Sequence, residues 1–477
     1  MSEKYELIMW LETHVRVKSH TKMWCACANA LELAPEPNIN VCPICMGFPG
    51  MLPTLSAWVV DLAVRASHAM RSKVMEESIF DRKSYFYPDL PMWYQITQLY
   101  YPIAMGGEVR AYVWDEVKRF RIHHMHIEND AGKLVHAGGK TLCDYNRAGS
   151  PLMEIVTEPD FRSKADVIAY LEELQKLMRW CGASDADMEK WQLRCDVNIS
   201  IREVGETTLR NRVELKNINS FSSIGRAIDV EYTRQVEIYE SGSTLDQETR
   251  GWSDEKWYST SLRSKEDAMD YRYFPDPDIP PLVLTPEYIA ERVVGELPMD
   301  RREKYLHEYK LGEDDARILS ADKMTSDFYE ELVAVSWDPK RSCSYITTIL
   351  FAIFEAHHEH IDLSHVKWGA TEIGRVIALV AIDALSSTNS KLVVEKLVFE
   401  GGQADAWVEK LRLAQSNDTW ALETIVDQVI AENTWQVTEY KSGKEALFGF
   451  FVGQCMKASK GQGNPKIFTE ILKKKLS

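Results

Sequence analysis

The sequence predicts an α+β protein in which strands come first and helices follow. Short segments in the first 220 residues alternate apolar and polar side chains, which is the periodicity of a β-strand. Five prolines between positions 275 and 286 then mark a domain edge, and the apolar pattern is helical from there onward, with a break at Gly401 and Gly402. We expect a sheet-based domain over 1–293, a helical domain over 294–402 and a small all-α domain over 403–477.

Composition narrows the class of protein. The 477 residues carry a formal net charge of −16, which argues against a protein that coats nucleic acid with its whole surface. No run reaches the roughly 18 apolar residues of a membrane helix, and the first residues, MSEKYEL, contain no export or transit signal. We therefore expect a soluble cytoplasmic protein, unless a targeting segment was removed.

Residues 5–17 form the first predicted strand. Odd positions are apolar except Thr13 and even positions are mostly polar, so Glu12 and His14 point to the same face. At about 3.3 Å of rise per residue they lie roughly 7 Å apart, close enough to share one ligand.

Two helices are predicted in the same domain. The first spans about 56–70, where apolar residues recur at helical spacing. The second begins at Ser163, where Asp166 three residues on completes a capping pattern, and it ends at Gly182.

Four of the nine cysteines form two close pairs separated by a short loop. Two such pairs match a tetrahedral zinc site in which each pair holds one side of the metal. The alternative is four buried reduced thiols. The residues are Cys25, Cys27, Cys42 and Cys45.

Residues 80–98 mix aromatic, basic and acidic side chains around two prolines. Arg82 and Lys83 are candidates to bind phosphate. The aromatic residues at 85–87 would stack on a base or, as is commoner, fill a core.

The segment 126–160 is the centre of the predicted site. It sets carboxylates beside basic side chains, with glycines bending the chain between them, which suits a divalent cation together with phosphate oxygens. The alternative is a run of solvated turns. Its charged residues include Glu128, Asp130, Lys133, His136, Asp144, Arg147, Glu154, Glu158 and Asp160.

Three further predicted strands also carry charged residues on one face and apolar residues on the other. Around 193–201 the polar face carries Arg194 and Asp196, around 212–216 it carries Glu214 and Lys216, and Glu154 lies on the strand at 152–156. A half-solvated antiparallel sheet would explain each strand singly. Mixed acids and bases on all of them favour a concave, occupied polar face.

Later cations extend the predicted binding surface. Arg250, Arg263, Lys265 and Arg272 are candidates for a polyanionic ligand. From Lys441 onward there are eight lysines and two acids, which would suit a phosphate backbone or, equally, a solvated helix end.

Taken together, these residues resemble the GatB/GatE family, the B subunits of the bacterial and organellar aspartyl/glutamyl-tRNA(Asn/Gln) amidotransferases. The resemblance runs the whole length of the chain. Its most specific strings are CPICMGFPGMLP at 42–53, FDRKSYFYPDLP at 80–91, DAGK at 130–133, NRAGSPLMEIVTEPD at 146–160, RCDVNIS at 194–200, ELKNINSF at 214–221, QETRGW at 247–252, DYRYFPDPD at 270–278 and GQCMKASKGQGNP at 453–465.

The resemblance implies an N-terminal cradle domain on an antiparallel sheet, akin to the catalytic fold of glutamine synthetase, followed by a helical domain and a tail that contacts tRNA. It implies a carbon–nitrogen ligase of class EC 6.3.5.-, in which ATP phosphorylates the side-chain carboxylate of Glu on tRNA(Gln) or Asp on tRNA(Asn). Ammonia, released from glutamine by the amidase (A) subunit, then displaces the phosphate, and the small (C) subunit holds the assembly together.

It also implies roles for individual residues. The catalytic residues would be Glu12, His14, Glu154 and Asp196. Mg²⁺ would be held by His14, Glu128, Asn129 and Glu154, and a structural Zn²⁺ by the four cysteines. ATP would be held by Arg82, Lys83, Lys133, Arg147, Lys216, Arg263, Lys265 and Arg272. The tRNA would meet Lys457, Lys460 and Lys466.

The chain departs from the family pattern at the predicted site. Asn129 stands where the family has a second glutamate, which should weaken Mg²⁺ binding. Trp10, Trp93 and Trp191 stand where it has small residues, and we expect three indoles to crowd the pocket. The alternative to a working ligase is therefore an impaired homologue that serves as a scaffold for tRNA binding and for assembly of the complex.

Overall fold

The computed structural model describes residues 4–29, 36–264, 270–357, 363, 369–415, 418–459 and 462–476, the side chains of 263 and 264 excepted. The chain divides into two compact units, Met1–Met299 and Asp300–Ser477. The first unit is built on a large sheet and the second is helical, which confirms the α+β class. The three-domain division stays a prediction.

The strands of the first unit follow in chain order. They are β1 Tyr5–Arg16, β2 Lys73–Val74, β3 Glu77–Ser78, β4 Asp81–Ser84, β5 Tyr94–Thr97, β6 Ala104–Met105, β7 Glu108–Val113, β8 Glu116–Asn129, β9 Lys133–Ala137, β10 Lys140–Asp144, β11 Pro151–Thr157, β12 Leu193–Glu203, β13 Val213–Lys216, β14 Glu248–Ser253, β15 Tyr258–Ser264, β16 Phe274–Pro275 and β17 Leu282–Val283.

Within the described residues, ten of these strands form one sheet in the order β15-β14-β13-β12-β1-β11-β8-β6-β2, with β7 paired to β8. Neighbouring strands are antiparallel except β13 and β14. The remaining strands form small sheets, among them the β9–β10 hairpin. The predicted strand at 5–17 is thus confirmed, and it lies near the middle of the sheet.

Helices α1 Ala57–Ala69, α2 Lys164–Trp180, α3 Phe221–Glu240 and α4 Pro286–Ala290 complete this unit, and α5 Pro298–His307 spans the division between the units. Both helices predicted from the sequence are confirmed. The Ser163 hydroxyl accepts a hydrogen bond from the Asp166 N–H and Asp166 returns one, so the capping box is complete. Gly182 follows the helix at φ +74°, the left-handed conformation that glycine adopts without strain.

One hydrophobic core lies on the apolar face of the sheet. Odd-numbered residues of β1, such as Leu11 and Val15, are fully buried, and they belong to the same core as apolar side chains of α2 and α3, including Leu171 and Ile228. The even-numbered residues of β1 from Trp10 onward are half-buried. Because of this alternation, one face of the sheet packs on the core and the other face carries polar residues.

The second unit is helical throughout its described part, as the sequence predicts. Its helices are α6 Glu313–Leu319, α7 Lys323–Ser336, α8 Pro339–Ser344, α9 Phe351–Ala356 after a π-helical turn at Tyr345–Leu350, α10 Gly369–Ala381, α11 Ser387–Glu400, α12 Ala404–Lys410, α13 Thr419–Glu432, α14 Thr434–Lys441, α15 Leu447–Ala458 and α16 Pro465–Leu476. Two separate hydrophobic clusters hold them, one over 305–408 and one over 422–476.

Candidate active site on the polar face of the sheet

Three neighbouring strands bring a histidine and two glutamates together. In the pairing of β1 with β11, His14 lies opposite Glu154. The His14 Nε2 is 3.3 Å from the Glu154 Oε2 and 3.8 Å from the Glu128 Oε1 on β8. One ligand atom from each residue lies within 4.8 Å of the others, so this triad has the spacing to share one metal ion.

A second acidic cluster lies on the adjacent strands. Glu12 pairs across the sheet with Asp196 on β12, and Glu214 follows on β13; their ligand atoms also lie within 4.8 Å of one another. The Lys216 ammonium donates to Asp196 at 2.6 Å and ion-pairs with Glu214 at 3.0 Å. The Asn198 amide donates to the Glu12 carboxylate at 3.0 Å. The two clusters together make a polar surface along the middle of the sheet.

The pKa values in these clusters are shifted in opposite directions. Burial raises the pKa of Glu12, and repulsion from Glu154 adds to that shift. Burial alone would raise the pKa of Glu154 too, but His126 and His14 outweigh it and hold that pKa well below its usual value. Glu154 is therefore ionised, while Glu12 takes up a proton more readily than an ordinary glutamate.

His126 belongs to the triad's surroundings, although the sequence does not predict it as a site residue. It lies opposite Glu154 in the pairing of β8 with β11, and its Nε2 is 3.2 Å from the Glu154 Oε2 and 3.5 Å from the Glu128 Oε2. Burial would lower the pKa of His126, but the two glutamates raise it to about 10. Its position two residues before Glu128 on a strand is the signal that could have identified it.

The side chain of Asn129 is held by β5, although the family resemblance implies a place among the Mg²⁺ ligands. Its Oδ1 accepts a hydrogen bond from the Ile96 N–H at 3.0 Å, and its carbonyl oxygen accepts one from the Gln95 side chain at 2.9 Å. Both partners belong to β5. Adjacent residues of a strand face opposite sides. The Glu128 carboxylate points to the triad and also accepts a hydrogen bond from the Thr97 hydroxyl of β5 at 3.2 Å, whereas the Asn129 side chain is held by the backbone of β5. The absence of a second carboxylate at 129 therefore leaves the triad intact.

The predicted phosphate ligands have different surroundings. Attraction to Glu128 overcomes the effect of burial and raises the pKa of Lys83, so this lysine stays charged next to the triad. Arg82 is engaged elsewhere, since its guanidinium binds Asp276 at 2.8 Å and Asp278 at 2.7 Å. Of these two residues, the structure brings Lys83 to the site and holds Arg82 in an ion-pair network.

Arg147 and Arg194 belong to a further network at the edge of the site. Arg147 donates to the carbonyl oxygens of Ala131 and Gly132, at 3.0 and 2.7 Å. Arg194, which the sequence does not predict as a ligand, donates to the Asp130 carboxylate at 2.9 Å. These contacts fix the turn that carries the DAGK string.

The other predicted cations are in exposed or aromatic surroundings or lie outside the described structure. Lys133 is exposed on the β9–β10 hairpin. The Arg272 guanidinium lies 5.7 Å from the Phe86 ring. Arg263 lies in β15, but its side chain is outside the described structure, as is the whole of Lys265.

A cavity of about 300 Å³ opens between the two clusters and the turn after β13. Of the three tryptophans expected to crowd the pocket, Trp191 lines this cavity, Trp93 is 67% exposed, and the Trp10 ring lies 5.1 Å from the Arg212 guanidinium. The cavity is lined by His14, Trp191, Arg194, Cys195, Asp196, Lys216, Asn217, Ile218 and Asn219.

The four clustered cysteines converge as the sequence predicts. Their sulfur atoms all lie within 4.8 Å of one another. A tetrahedron with zinc–sulfur bonds of about 2.3 Å has edges of about 3.8 Å, so this spacing fits a metal ion. A hydrogen bond from Cys25, together with the nearby charge of Lys22, outweighs burial and lowers the pKa of Cys45 to about 5. A pre-formed thiolate is the form that binds zinc.

The predicted tRNA-binding lysines are in the C-terminal helices. Lys457 is exposed in the last turn of α15. Lys466 is ion-paired with Asp383 at 2.9 Å, and Lys460 lies outside the described residues. No described helix combines the length and the apolar character needed to cross a membrane.

Known proteins resemble this chain over nearly its whole length. Residues 7–290 match the model of the GatB/GatE catalytic domain and residues 327–476 match that of the GatB domain. The chain is 43% identical to the B subunit of the aspartyl/glutamyl-tRNA(Asn/Gln) amidotransferase of Persephonella marina, over 99% of this chain and 100% of that protein. It is 41% identical to the protein of the same name from Lachnoclostridium phytofermentans, over 99% of both chains. With matches of this extent, the chain belongs to the GatB/GatE family.

Proposed function

We propose that this chain is the component of a tRNA-dependent amidotransferase that activates and amidates the acid side chain of Glu on tRNA(Gln), of Asp on tRNA(Asn), or of both. ATP phosphorylates the side-chain carboxylate to give an acyl phosphate. Ammonia then attacks the acyl carbon, the carbon–oxygen bond to phosphate breaks, and the proton that ammonia loses leaves with the phosphate, so the products are the amide and HPO4²⁻.

The observation that carries this proposal is the pairing of two acidic clusters with fixed positive charge on one sheet face. A carboxylate attacks an anionic phosphate poorly unless cations neutralise the oxygens and hold them in line. Lys83 beside the triad and Lys216 beside Asp196 supply that charge. The cavity between the clusters has room for the reacting groups.

The triad fits a magnesium ion. Glu128 and Glu154 are carboxylates with little exposure to solvent, and oxygen donors are what a hard divalent cation prefers. His14, Glu128 and Glu154 would hold the ion, with His126 fixing Glu154 from the other side. When bound, the ion neutralises phosphate charge; orientation and proton transfer fall to the side chains around it.

Glu12 and Asp196 serve the second step. Because burial raises the pKa of Glu12, this carboxylate accepts the proton that ammonia loses as it becomes the amide. The Asn198 amide holds Glu12 in place and Lys216 holds Asp196. The adjacent clusters thus divide the chemistry, phosphoryl transfer at the triad and ammonia addition beside Glu12.

The proposal extends to the rest of the molecule. The first unit is a cradle domain of the glutamine synthetase type, with a structural zinc at its four cysteines. The residues after 293 form a helical domain, followed by a tRNA-contacting tail that begins near 403. The amidase (A) subunit supplies ammonia from glutamine and the small (C) subunit holds the assembly together. The 40–43% identity to proteins named as the B subunit supports this arrangement.

The test is reconstitution with the amidase and the small partner protein, Mg-ATP, glutamine and labelled Glu-tRNA(Gln) or Asp-tRNA(Asn). We expect labelled amide and ADP in equal amounts from the wild-type chain, and a loss of at least about 100-fold with Glu154→Gln. The matched control is Glu158→Gln, a nearby carboxylate outside both clusters. Retained tRNA binding without amide or ADP from the wild type would overturn the proposal and favour an assembly scaffold.

A further inference from the structure

Lys22 is fully buried next to the cysteine cluster. Its side chain is 0% exposed, which is rare for a lysine. The ammonium donates to the carbonyl oxygens of Asn40 at 2.8 Å and Tyr145 at 3.4 Å, and its third contact is the Cys45 sulfur at 3.8 Å. Two neutral carbonyls and a sulfur atom therefore surround this charge.

Among the described residues, no carboxylate oxygen lies within 4.0 Å of the Lys22 ammonium, so of its three contacts the Cys45 sulfur is the one that can carry a negative charge. Burying an ammonium without a counter-charge is costly. Four thiolates around a divalent cation carry a net charge of −2, which is also costly to bury. Each group therefore stabilises the other.

We propose that Lys22 is the buried counter-charge of a metal–tetrathiolate centre and that it ties this centre to the turn leading into β11. This inference rests on the proposed metal site. Packing around the lysine supports it: a Cβ atom built on Gly149 would lie 3.6 Å from Lys22 Cδ and 3.5 Å from Cys45 Cβ. The turn at Gly149 closes directly over the lysine and the cysteine, and β11, which holds Glu154, begins two residues later.

The test measures zinc affinity of the full chain by competition with a chromophoric chelator. We expect Lys22→Met to weaken zinc binding by about tenfold or more, the usual cost of removing a group that supports metal ligands. Lys22→Arg, which keeps the charge, should retain most of the affinity. The matched control is Lys18→Met, an exposed lysine paired with Asp185 at 2.7 Å, which should bind zinc like the wild type.

A thermal measurement guards against a variant that merely folds poorly. If Lys22 is the counter-charge, zinc should raise the melting temperature of Lys22→Met less than that of the wild type. An equal rise, or unchanged zinc affinity, would overturn the role of Lys22. A wild-type chain that binds no zinc would instead overturn the metal site itself.

An independent observation concerns five tryptophans in the left-handed backbone conformation. Of 13 non-glycine residues at positive φ in the described part of the chain, five are tryptophan, although tryptophan supplies only 14 of the 477 residues. For a bulky side chain this conformation is a genuine outlier. All five are also exposed, from 54% to 88%. They are Trp93, Trp114, Trp191, Trp257 and Trp337, at φ of +64°, +58°, +58°, +56° and +56°.

Two of these positions are places where glycine is the standard residue. Trp114 is the first of two residues that join β7 to β8, and Val113 pairs directly with Glu116. A two-residue hairpin with positive φ only at its first position is a type II′ turn, which takes glycine there. Trp337 is the left-handed residue that ends α7, a position where helices usually have glycine.

Three tryptophans of the core have ordinary backbone conformations. Trp24, Trp180 and Trp252 are 2% to 5% exposed, in the core, and none is among the positive-φ residues. The indole N–H of Trp180 donates to a carbonyl oxygen at 3.1 Å and that of Trp252 to Asp254 at 2.9 Å. These three tryptophans at core positions therefore differ in burial and in backbone conformation from the five at positive φ.

We infer that glycine occupies the five left-handed positions in the source cell, whose ribosomes read as glycine a codon that another genetic code assigns to tryptophan. UGA is such a codon, because different codes assign it to termination, tryptophan or glycine. One reassigned codon accounts for all five positions, while UGG encodes the core tryptophans. At 191 the change removes an indole from the cavity wall and enlarges the proposed site.

The gene and the native protein test this inference. We expect UGA at codons 93, 114, 191, 257 and 337 and UGG at 24, 180 and 252. Mass spectrometry of the protein from its source cell should give peptides with glycine at the first set and tryptophan at the second. UGG codons throughout, or peptides with tryptophan at the turns, would overturn it. In the recombinant chain, glycine at the five turns should raise the melting temperature, whereas Trp24→Gly should lower it.

Discussion

His126 lies directly opposite Glu154 in the pairing of β8 with β11, and the two side chains meet at 3.2 Å on the polar face of the sheet. Glu128 approaches the same imidazole from the neighbouring position on β8, at 3.5 Å. The pair fixes the orientation of the carboxylate that also meets His14. Protonation of either residue changes this ion pair. The stability of the fold therefore depends on pH through the same groups that set the charge of the proposed site.

The first prediction concerns stability at alkaline pH. The pKa of His126 rises from 6.5 to about 10 on folding, so its charge stabilises the fold fully below pH 6.5 and loses that effect as the pH rises toward 10. His126→Gln should therefore remove part of the fall in unfolding free energy over that window. Denaturant titrations at pH 6, 8 and 10 measure it. If the unfolding free energies of the wild type and the variant fell by the same amount between pH 6 and pH 10, that result would contradict the ion pair.

The pKa of Glu154 gives the matching behaviour in acid. Because it is depressed in the folded state, its contribution is present above the unfolded value near 4.5 and is lost as the pH falls through the folded value. Glu154→Gln should accordingly lose less stability than the wild type on acidification below pH 4.5. The same titrations, continued to pH 3, check this sign.

Asn129 provides a test of strand geometry. Asn129→Leu removes the acceptor of the buried Ile96 N–H, so it should destabilise the protein by about 1–3 kcal/mol. Asn129→Asp keeps an acceptor and should cost less. Urea unfolding measures both. A leucine variant as stable as the wild type would contradict the role of Asn129 as the link to β5.

Much of this arrangement could be predicted from the sequence, and its limits are physical. The two-residue spacing of Glu12 and His14 fixes their shared face whatever the partner strand is. The face of Glu128 and Asn129 depends on the register of β8 against β11, and a shift of one residue exchanges them. Register arises from contacts distant in sequence, so neither the hydrogen bond of Asn129 to β5 nor the contact of His126 with Glu154 can be predicted from local spacing.

The ion pairs of Arg82 also depend on contacts that are distant in sequence. Its partners Asp276 and Asp278 lie almost 200 residues away, and sequence reasoning that treats Arg82 as an unpaired cation assigns it to phosphate. The cysteines were predictable because each pair is local and only the joining loop had to close.

The next prediction concerns zinc content. The full chain should bind one zinc ion, and Cys42→Ser should lose it and melt at a lower temperature, because a tetrathiolate site contributes directly to folding. Cys195→Ser is the matched control: this buried thiol lies on β12, outside the cluster, and its variant should keep the zinc. Elemental analysis of each protein after dialysis measures the bound zinc. Equal zinc in both variants would refute the site.

The tail prediction concerns tRNA affinity. Lys457 is exposed, so Lys457→Glu should weaken tRNA binding and lower the slope of log K against log salt by about 1. Lys475→Met is the control, because that ammonium is already paired with Glu423 and Asp427. Filter binding at several salt concentrations distinguishes them. If Lys457→Glu binds like the wild type while Lys475→Met does not, the contact lies elsewhere in the tail.

The most direct measurement titrates the full chain with Mn²⁺, as a paramagnetic substitute for Mg²⁺, and follows the free ion by electron paramagnetic resonance. The triad of His14, Glu128 and Glu154 predicts one site that Glu128→Gln weakens by at least about tenfold and that Asn129→Leu leaves unchanged. The opposite pattern, with binding lost in Asn129→Leu and kept in Glu128→Gln, would contradict the account at its centre.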